Sequence, residues 1–354
     1  MKKLLLIFVT LQISINVCGK CPMVRLFLPT EKIEFDTIQY MVDDPYFEKA
    51  YLELKDMFEG KEPYSLKRAE FLVEWAYSGG KKDYQKFCCD IDSVVNILND
   101  FIDAKGIRKY RTAPNYAIFD YFTVPSERNS FTPITYDFED VMGQKDYNKM
   151  LVSKLMETHS GQCTSMPLFY KIVCDELGGQ SAIALAPLHS YIKHIGEDGK
   201  WVNVELTHGS FVRDVWIIET MDVSTEAIRN GVYLTALNDQ ENIAFIFTML
   251  SMAYQVKYHS WDYFIKRNFD LVLGFMPKFA NTLVVKYCWL QERCNRFIEK
   301  YGEAPTPYLI DTSRECVEVM NVLDNLGFSQ MSFEEYDRNV RIALERLKEK
   351  GLIQ

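Results

Sequence analysis

Between Glu31 and Lys105 apolar residues recur at spacings of three and four, most clearly in "YFEKAYLELKDMF" and "FCCDIDSVVNILNDFI". That period predicts amphipathic helices. From Ala117 to Asp140 aromatic and β-branched residues, broken by Pro125, Asn129 and Pro133, predict short strands and loops instead. The acidic run "YDFED" at 136 to 140 reads as the approach to the next helix rather than the lining of a cleft. That helix begins straight after Cys163, with Met166, Tyr170, Cys174 and Leu177 on the same stripe. Leu177-Gly178-Gly179 supplies its stop.

Next, "SAIALAP" reads as a buried strand. "HSYIKHI" and "KWVNVELT" read as an antiparallel pair around the turn signal "GEDGK". Beyond residue 236 the pattern is helical to the end: Asn238 caps a run over 239 to 258, others follow near 261–275 and 279–300, and Pro305 and Pro307 mark a break. Ser332-Phe333-Glu334-Glu335 has the form of a capping box. Leu250, Tyr254, Pro277 and Ala280 match fragments of a tetratricopeptide repeat, but one degenerate unit makes no solenoid. Helical hairpins that dock on the preceding part are the expectation. Helices, then antiparallel strands, then helices give an α+β fold class.

The amino terminus changes the picture. Lys2 and Lys3 precede an apolar run from Leu4 to Val9, with smaller residues at Val17 and Gly19, which reads as a secretory signal peptide over 1–19. Cys18 raises lipoprotein anchoring as an alternative, but Asn16 and Val17 make a poor lipobox. The expected product is exported, periplasmic or secreted, with no transmembrane segment. Two further divisions are expected: 20–235, a mixed domain with a helical amino-terminal part, and 236–354, a helical carboxy-terminal domain. Loss of Lys2 and Lys3 with the leader takes the formal charge from -9 to -11. An acidic chain of this kind is not a nucleic-acid binder by default.

Nine cysteines include Cys18, so eight remain after cleavage. Their spacing argues against a dense disulfide framework. The adjacent Cys88 and Cys89 read as small core residues at a helix start. The only CxxC, Cys18 with Cys21, is split by the expected cleavage, and His189 and His194, five apart on one strand, point to opposite faces. No metal site and no cofactor is expected.

Cys163 is the informative cysteine. At a helix start, unpaired amides and the macrodipole favour thiolate over thiol. A base is at hand in His189, which opens the first strand of the hairpin. Alternation along "WVNVELT" places Trp201, Asn203, Glu205 and Thr207 on one face. There Glu205 can orient the imidazole, completing a nucleophile, base and orienter. The competing readings are an inert buried thiol and a structural histidine. Gln162 either lends its amide to an oxyanion hole or faces solvent.

The arrangement also sets a register. Opposed residues in an antiparallel pair share a face, so a two-residue Asp198-Gly199 turn would put His189 and Glu205 on opposite sides. A working site needs a connection with an odd number of residues, expected at Gly196 to Asp198. In the register that pairs them directly, His189 and Glu205 face each other.

"GQC" before a helix ending "ELGG", then "HSY", then "KWVNVELT" resembles the transglutaminase-like superfamily. The resemblance implies a papain-like core in which a Cys-bearing helix packs on an antiparallel sheet. It matches Cys163, His189 with Tyr191 two places on, and Trp201, Val204, Glu205 and Thr207 in a "W-x-x-V-D-x-T" kind of ending. Glu205 stands where Asp is usual, and Pro167 where a small helix former is usual. The implied activity is acyl transfer from amide bonds of peptides, proteins or peptidoglycan stems through a Cys-His-Glu triad, with hydrolysis favoured over cross-linking. The alternative is a non-catalytic binding or scaffold protein whose helical carboxy-terminal region recruits a protein partner.

Overall fold

The computed structural model describes residues 41–328 apart from 141, 142, 144 and 304, together with 338, 341, 342 and 345. The described residues belong to one compact unit. The expected leader, Cys18, Cys21 and the Ser332 capping box lie outside the described residues. The architecture is mixed helix and sheet.

Three helices open it: α1 (Pro45–Phe58), α2 (Leu66–Tyr77) and α3 (Tyr84–Lys105). Each starts at a residue whose side chain accepts from the first turn: Asp44, Ser65 and Asp83. Such caps satisfy amides that have no partner inside the helix. Cys88 and Cys89 lie in the opening part of α3, but Cys88 is half-buried and Cys89 exposed. They face outward because the buried stripe of α3 runs through Phe87, Ile91, Leu98 and Ile102.

The aromatic stretch after Ala117 is not a strand at its start. Residues Ala113–Thr123 form α4, with Pro114 in its first turn. Ala117, Ile118, Tyr121 and Phe122 are buried at helical spacing, so tertiary burial overrides the β preference of the individual residues. Nor is "YDFED" a helix approach. Its first residue ends β1 (Thr135–Tyr136), which runs parallel to β2 (Ser160–Gly161). Between them lies the short α5 (Val152–Thr158). Glu74, fully buried on α2, accepts from the Ser153 amide at 2.8 Å and is paired with Lys82.

Helix α6 (Ser165–Glu176) follows, then a four-stranded antiparallel meander. Its strands are β3 (Ser181–Ala186), β4 (His189–Ile195), β5 (Trp201–Glu205) and β6 (Ser210–Val212), in that order. Helix α6 was expected to bury one stripe; in fact every residue from Ser165 to Cys174 is buried. It packs against β3 and β4 on one side and α3 and α4 on others. The outer edge of β3 is covered, since Leu234 and Leu237 donate backbone hydrogen bonds to Leu185 and Ile183. A covered edge offers no unpaired ladder to another chain.

The β3–β4 register pairs Ala182 with Lys193, Ala184 with Tyr191 and Ala186 with His189. Three alanines thus share a face with three long polar side chains. Their small size lets the Lys193 stem cross β3 and donate to Leu234 O at 3.0 Å.

The chain continues through short α7 (Asp214–Met221) and α8 (Thr225–Arg229). Four longer helices close it: α9 (Asp239–Tyr258), α10 (Tyr263–Phe275), α11 (Ala280–Tyr301) and α12 (Pro307–Leu326). Asn238 caps α9 with a reciprocal bond from Glu241, as expected. Phe47 on α1 meets Tyr254 on α9 edge-on at 5.2 Å, and Tyr254 stacks on Phe264 of α10 at 4.4 Å. Helix α9 packs on α1 and α2. Among the described residues no helix is long and apolar enough to cross a membrane.

Candidate active site

Cys163 sits one residue ahead of Thr164, the residue that caps α6. The turn holding it is shaped by close approach. A Cβ at Gly161 would lie 2.5 Å from Leu155 Cδ1 and 3.0 Å from Ser165 Oγ, so only glycine fits there without rearrangement. Next in line, the Gln162 amide N–H donates to Ser165 Oγ at 2.9 Å. The Gln162 side chain is fully buried, and its Nε2 donates to Asp137 O at 2.7 Å and Glu139 O at 3.3 Å. Gln162 therefore neither faces solvent nor has its amide free for an oxyanion. It straps the segment after β1 onto the cysteine turn.

Leu188 of the β3–β4 turn and the first two residues of β4 meet Cys163. Its Sγ lies 4.0 Å from Leu188 O, its thiol helps to raise the His189 imidazole, and its carbonyl accepts from Ser190 Oγ at 2.5 Å. Leu188 holds a φ of 55° in the two-residue Pro187-Leu188 turn. That conformation is uncommon for a branched side chain, and the turn sets the direction in which His189 leaves it.

On its other side His189 offers Nε2 to Glu205 Oε2 at 2.7 Å. This engagement leaves Nδ1 as the ring nitrogen for the thiol. The second Glu205 oxygen accepts from the Thr207 amide at 3.0 Å and from Thr207 Oγ1 at 2.7 Å. Both partners are buried, with Glu205 1% and His189 5% exposed. Burial alone would pull the imidazole down, but the Glu205 carboxylate and then the Cys163 thiol outweigh it. His189 is pushed up to about 10. Burial alone would likewise raise Glu205, yet the charge and hydrogen bond of His189 hold it down at about 2. The pair is an ion pair across the neutral range.

The register behind this geometry is half as expected. Ile192 pairs with Val204 and Ile195 with Trp201, so paired residue numbers add to an even constant and both residues share a face. The three-residue loop, however, is Glu197 to Gly199. Gly196 N donates to Lys200 O and Gly199 N to Gly196 O, with Gly199 at φ 80°. The "DG" signal is the end of a turn closed by a left-handed glycine rather than a two-residue turn. In consequence His189 is diagonal to Glu205, not directly opposite it. The extra methylene of Glu over Asp fits this longer reach.

Other residues fall outside the site. Cys174 is core, hydrogen-bonded to Asn115, and burial pushes its thiol up to about 12. His194 points to the opposite face from His189, edge-on to Phe211 at 6.1 Å. His208 bonds Ser210 through Nδ1 and meets Trp216 edge-on. Seven cysteines, Cys88, Cys89, Cys163, Cys174, Cys288, Cys294 and Cys316, are free thiols. Among the described residues no cluster of His, Cys, Asp or Glu is placed to hold a metal ion. A groove of about 540 Å³ lies elsewhere, between α10, α11 and α12, with Leu273, Leu283 and Val319 on its floor and Lys286, Arg314 and Glu318 at its rim.

Ser190 was not singled out in the sequence, where a serine beside a strand histidine carries no distinctive signal. No protein-family model matches the chain, and no match is found among curated proteins or solved structures.

Proposed function

We propose that the chain is an exported cysteine enzyme of transglutaminase-like type that cleaves amide bonds of peptides, proteins or cell-wall stems through Cys163, His189 and Glu205. The observation that carries the reading is the buried His189 imidazole, hydrogen-bonded to a Glu205 carboxylate that Thr207 fixes, with Cys163 held by the residues on either side of that histidine. A papain-like core is the architecture that such a line, on a helix-start cysteine and two adjacent strands, supports.

In this reading the thiol proton already rests on His189, which Glu205 keeps as imidazolium. The Cys163 sulfur attacks the amide carbonyl carbon, and its electron pair moves onto oxygen. As the tetrahedral adduct collapses, the C–N bond breaks and the imidazolium gives its proton to the leaving amine. A thioester remains on Cys163. Water, deprotonated by the now neutral His189, attacks that carbonyl and releases the acid and the thiol. An amine in place of water would give transamidation. Water is favoured because it is the default acceptor outside the cell.

A protein partner at the groove between α10 and α12 is the second reading, favoured by its apolar floor and mixed-charge rim. The test separates the two. Purified protein is incubated with peptide or cell-wall fragments, acid-quenched and analysed by mass spectrometry. The enzyme reading expects an acyl adduct on Cys163 and fragment turnover, both lost in Cys163→Ala. The variant should keep its fold within about 1–2 kcal/mol, inside the usual range for one buried substitution. No adduct and no turnover in the wild type would transfer the case to the binding reading, and turnover unchanged in Cys163→Ala would overturn Cys163 as the nucleophile.

A further inference from the structure

An α-helical carbonyl expects the amide four residues on. Around the cysteine turn that rule holds on both sides: Met166 N donates to Gln162 O at 3.0 Å, and Leu168 N to Thr164 O at 3.3 Å. Between them the carbonyl of Cys163 would look to residue 167. That residue is Pro167, which has no N–H. The proline sits in the first turn of α6, where its own missing amide costs the helix nothing, but it leaves the nucleophile's carbonyl without its intrahelical donor. The carbonyl is in a buried place, where an acceptor without a donor is destabilising.

The donor comes from the sheet. Ser190 Oγ reaches Cys163 O at 2.5 Å, and Ser190 is 5% exposed. It is the residue next to His189, so one strand segment delivers both the base to the sulfur and the hydroxyl to the carbonyl of the same cysteine. From this we infer that Ser190 is a positioning residue. Its hydroxyl replaces the amide that Pro167 removes, and thereby clamps the cysteine turn to β4 beside His189. Pro167 and Ser190 act as a pair: the proline frees the carbonyl, and the serine uses it to dock helix α6 onto the strand that bears the base.

The inference rests on the Cys-His-Glu reading, and its test keeps the two apart. Full-length wild type, Ser190→Ala, Pro167→Ala and the double variant are alkylated with iodoacetamide between pH 5 and 11. The rate at Cys163 is followed by peptide mapping, and urea midpoints are taken in parallel. Ser190→Ala is expected to slow Cys163 alkylation about tenfold at neutral pH and to change the shape of its pH profile. In the Pro167→Ala background, where residue 167 supplies an N–H to the freed carbonyl, the same substitution should cost less than about threefold. This non-additivity is the signature of two groups serving one acceptor. A purely structural serine would lower the urea midpoint equally in both backgrounds and leave the pH profile unchanged, and that result overturns the inference. An activated wild-type Cys163 with additive effects overturns the positioning role alone. A wild-type Cys163 no more reactive than a free thiol overturns both.

Discussion

At the residue scale the site depends on one buried ion pair. Glu205 is held at about 2 from an ordinary 4.5, so its contribution to stability is present above pH 4.5 and lost as pH falls toward 2. His189 is raised to about 10 from 6.5, so its contribution is complete below pH 6.5 and lost as pH rises to about 10. Glu205→Gln removes one charge and leaves the other buried, which costs about 3–5 kcal/mol. Urea unfolding across pH should show that deficit largest between pH 4.5 and 6.5 and shrinking toward both extremes. A deficit constant with pH would mean that the two groups are not an ion pair. Cys163, His189 and Glu205 were legible in the sequence because each carries a chemical signal and their order is telling. Ser190 was not, because its partner is a carbonyl. Its one trace is a proline four residues after the cysteine, whose meaning appears only when the strand is in place.

At the scale of elements, β4 and β5 owe their register to a glycine. Gly199 holds φ 80°, and an added Cβ there would touch nothing within 4 Å. The cost of Gly199→Ala is thus backbone strain alone, about 1–2 kcal/mol, expected as a fall in the urea midpoint. Six residues of strand, roughly 20 Å at about 3.4 Å each, separate this loop from His189, so alkylation of Cys163 should be unchanged. No loss of stability would show that the loop closes some other way. Periodicity located α6 and the hairpin strands, but it misread the start of the aromatic stretch. Phe119, Tyr121 and Phe122 look like strand residues locally and become helix because α4 is packed against α3 and α6. Nor could it find β1 and β2, two residues each, which exist only as a tertiary pairing.

At the scale of the molecule, the same sulfur count supplies an internal control. Cys89 is exposed on α3, whereas Cys163 is 6% exposed beneath the Pro187-Leu188 turn. Accessibility alone ranks Cys89 first. Activation by His189 ranks Cys163 first, since nucleophilicity follows the thiolate and not the exposed area. The decisive measurement is therefore a competition: native protein is labelled at neutral pH with substoichiometric iodoacetamide, digested, and the label on each cysteine counted. Cys163 should carry most of it, and His189→Ala should move the label to Cys89. Label on Cys89 and none on Cys163 in the native protein would contradict the Cys-His-Glu account.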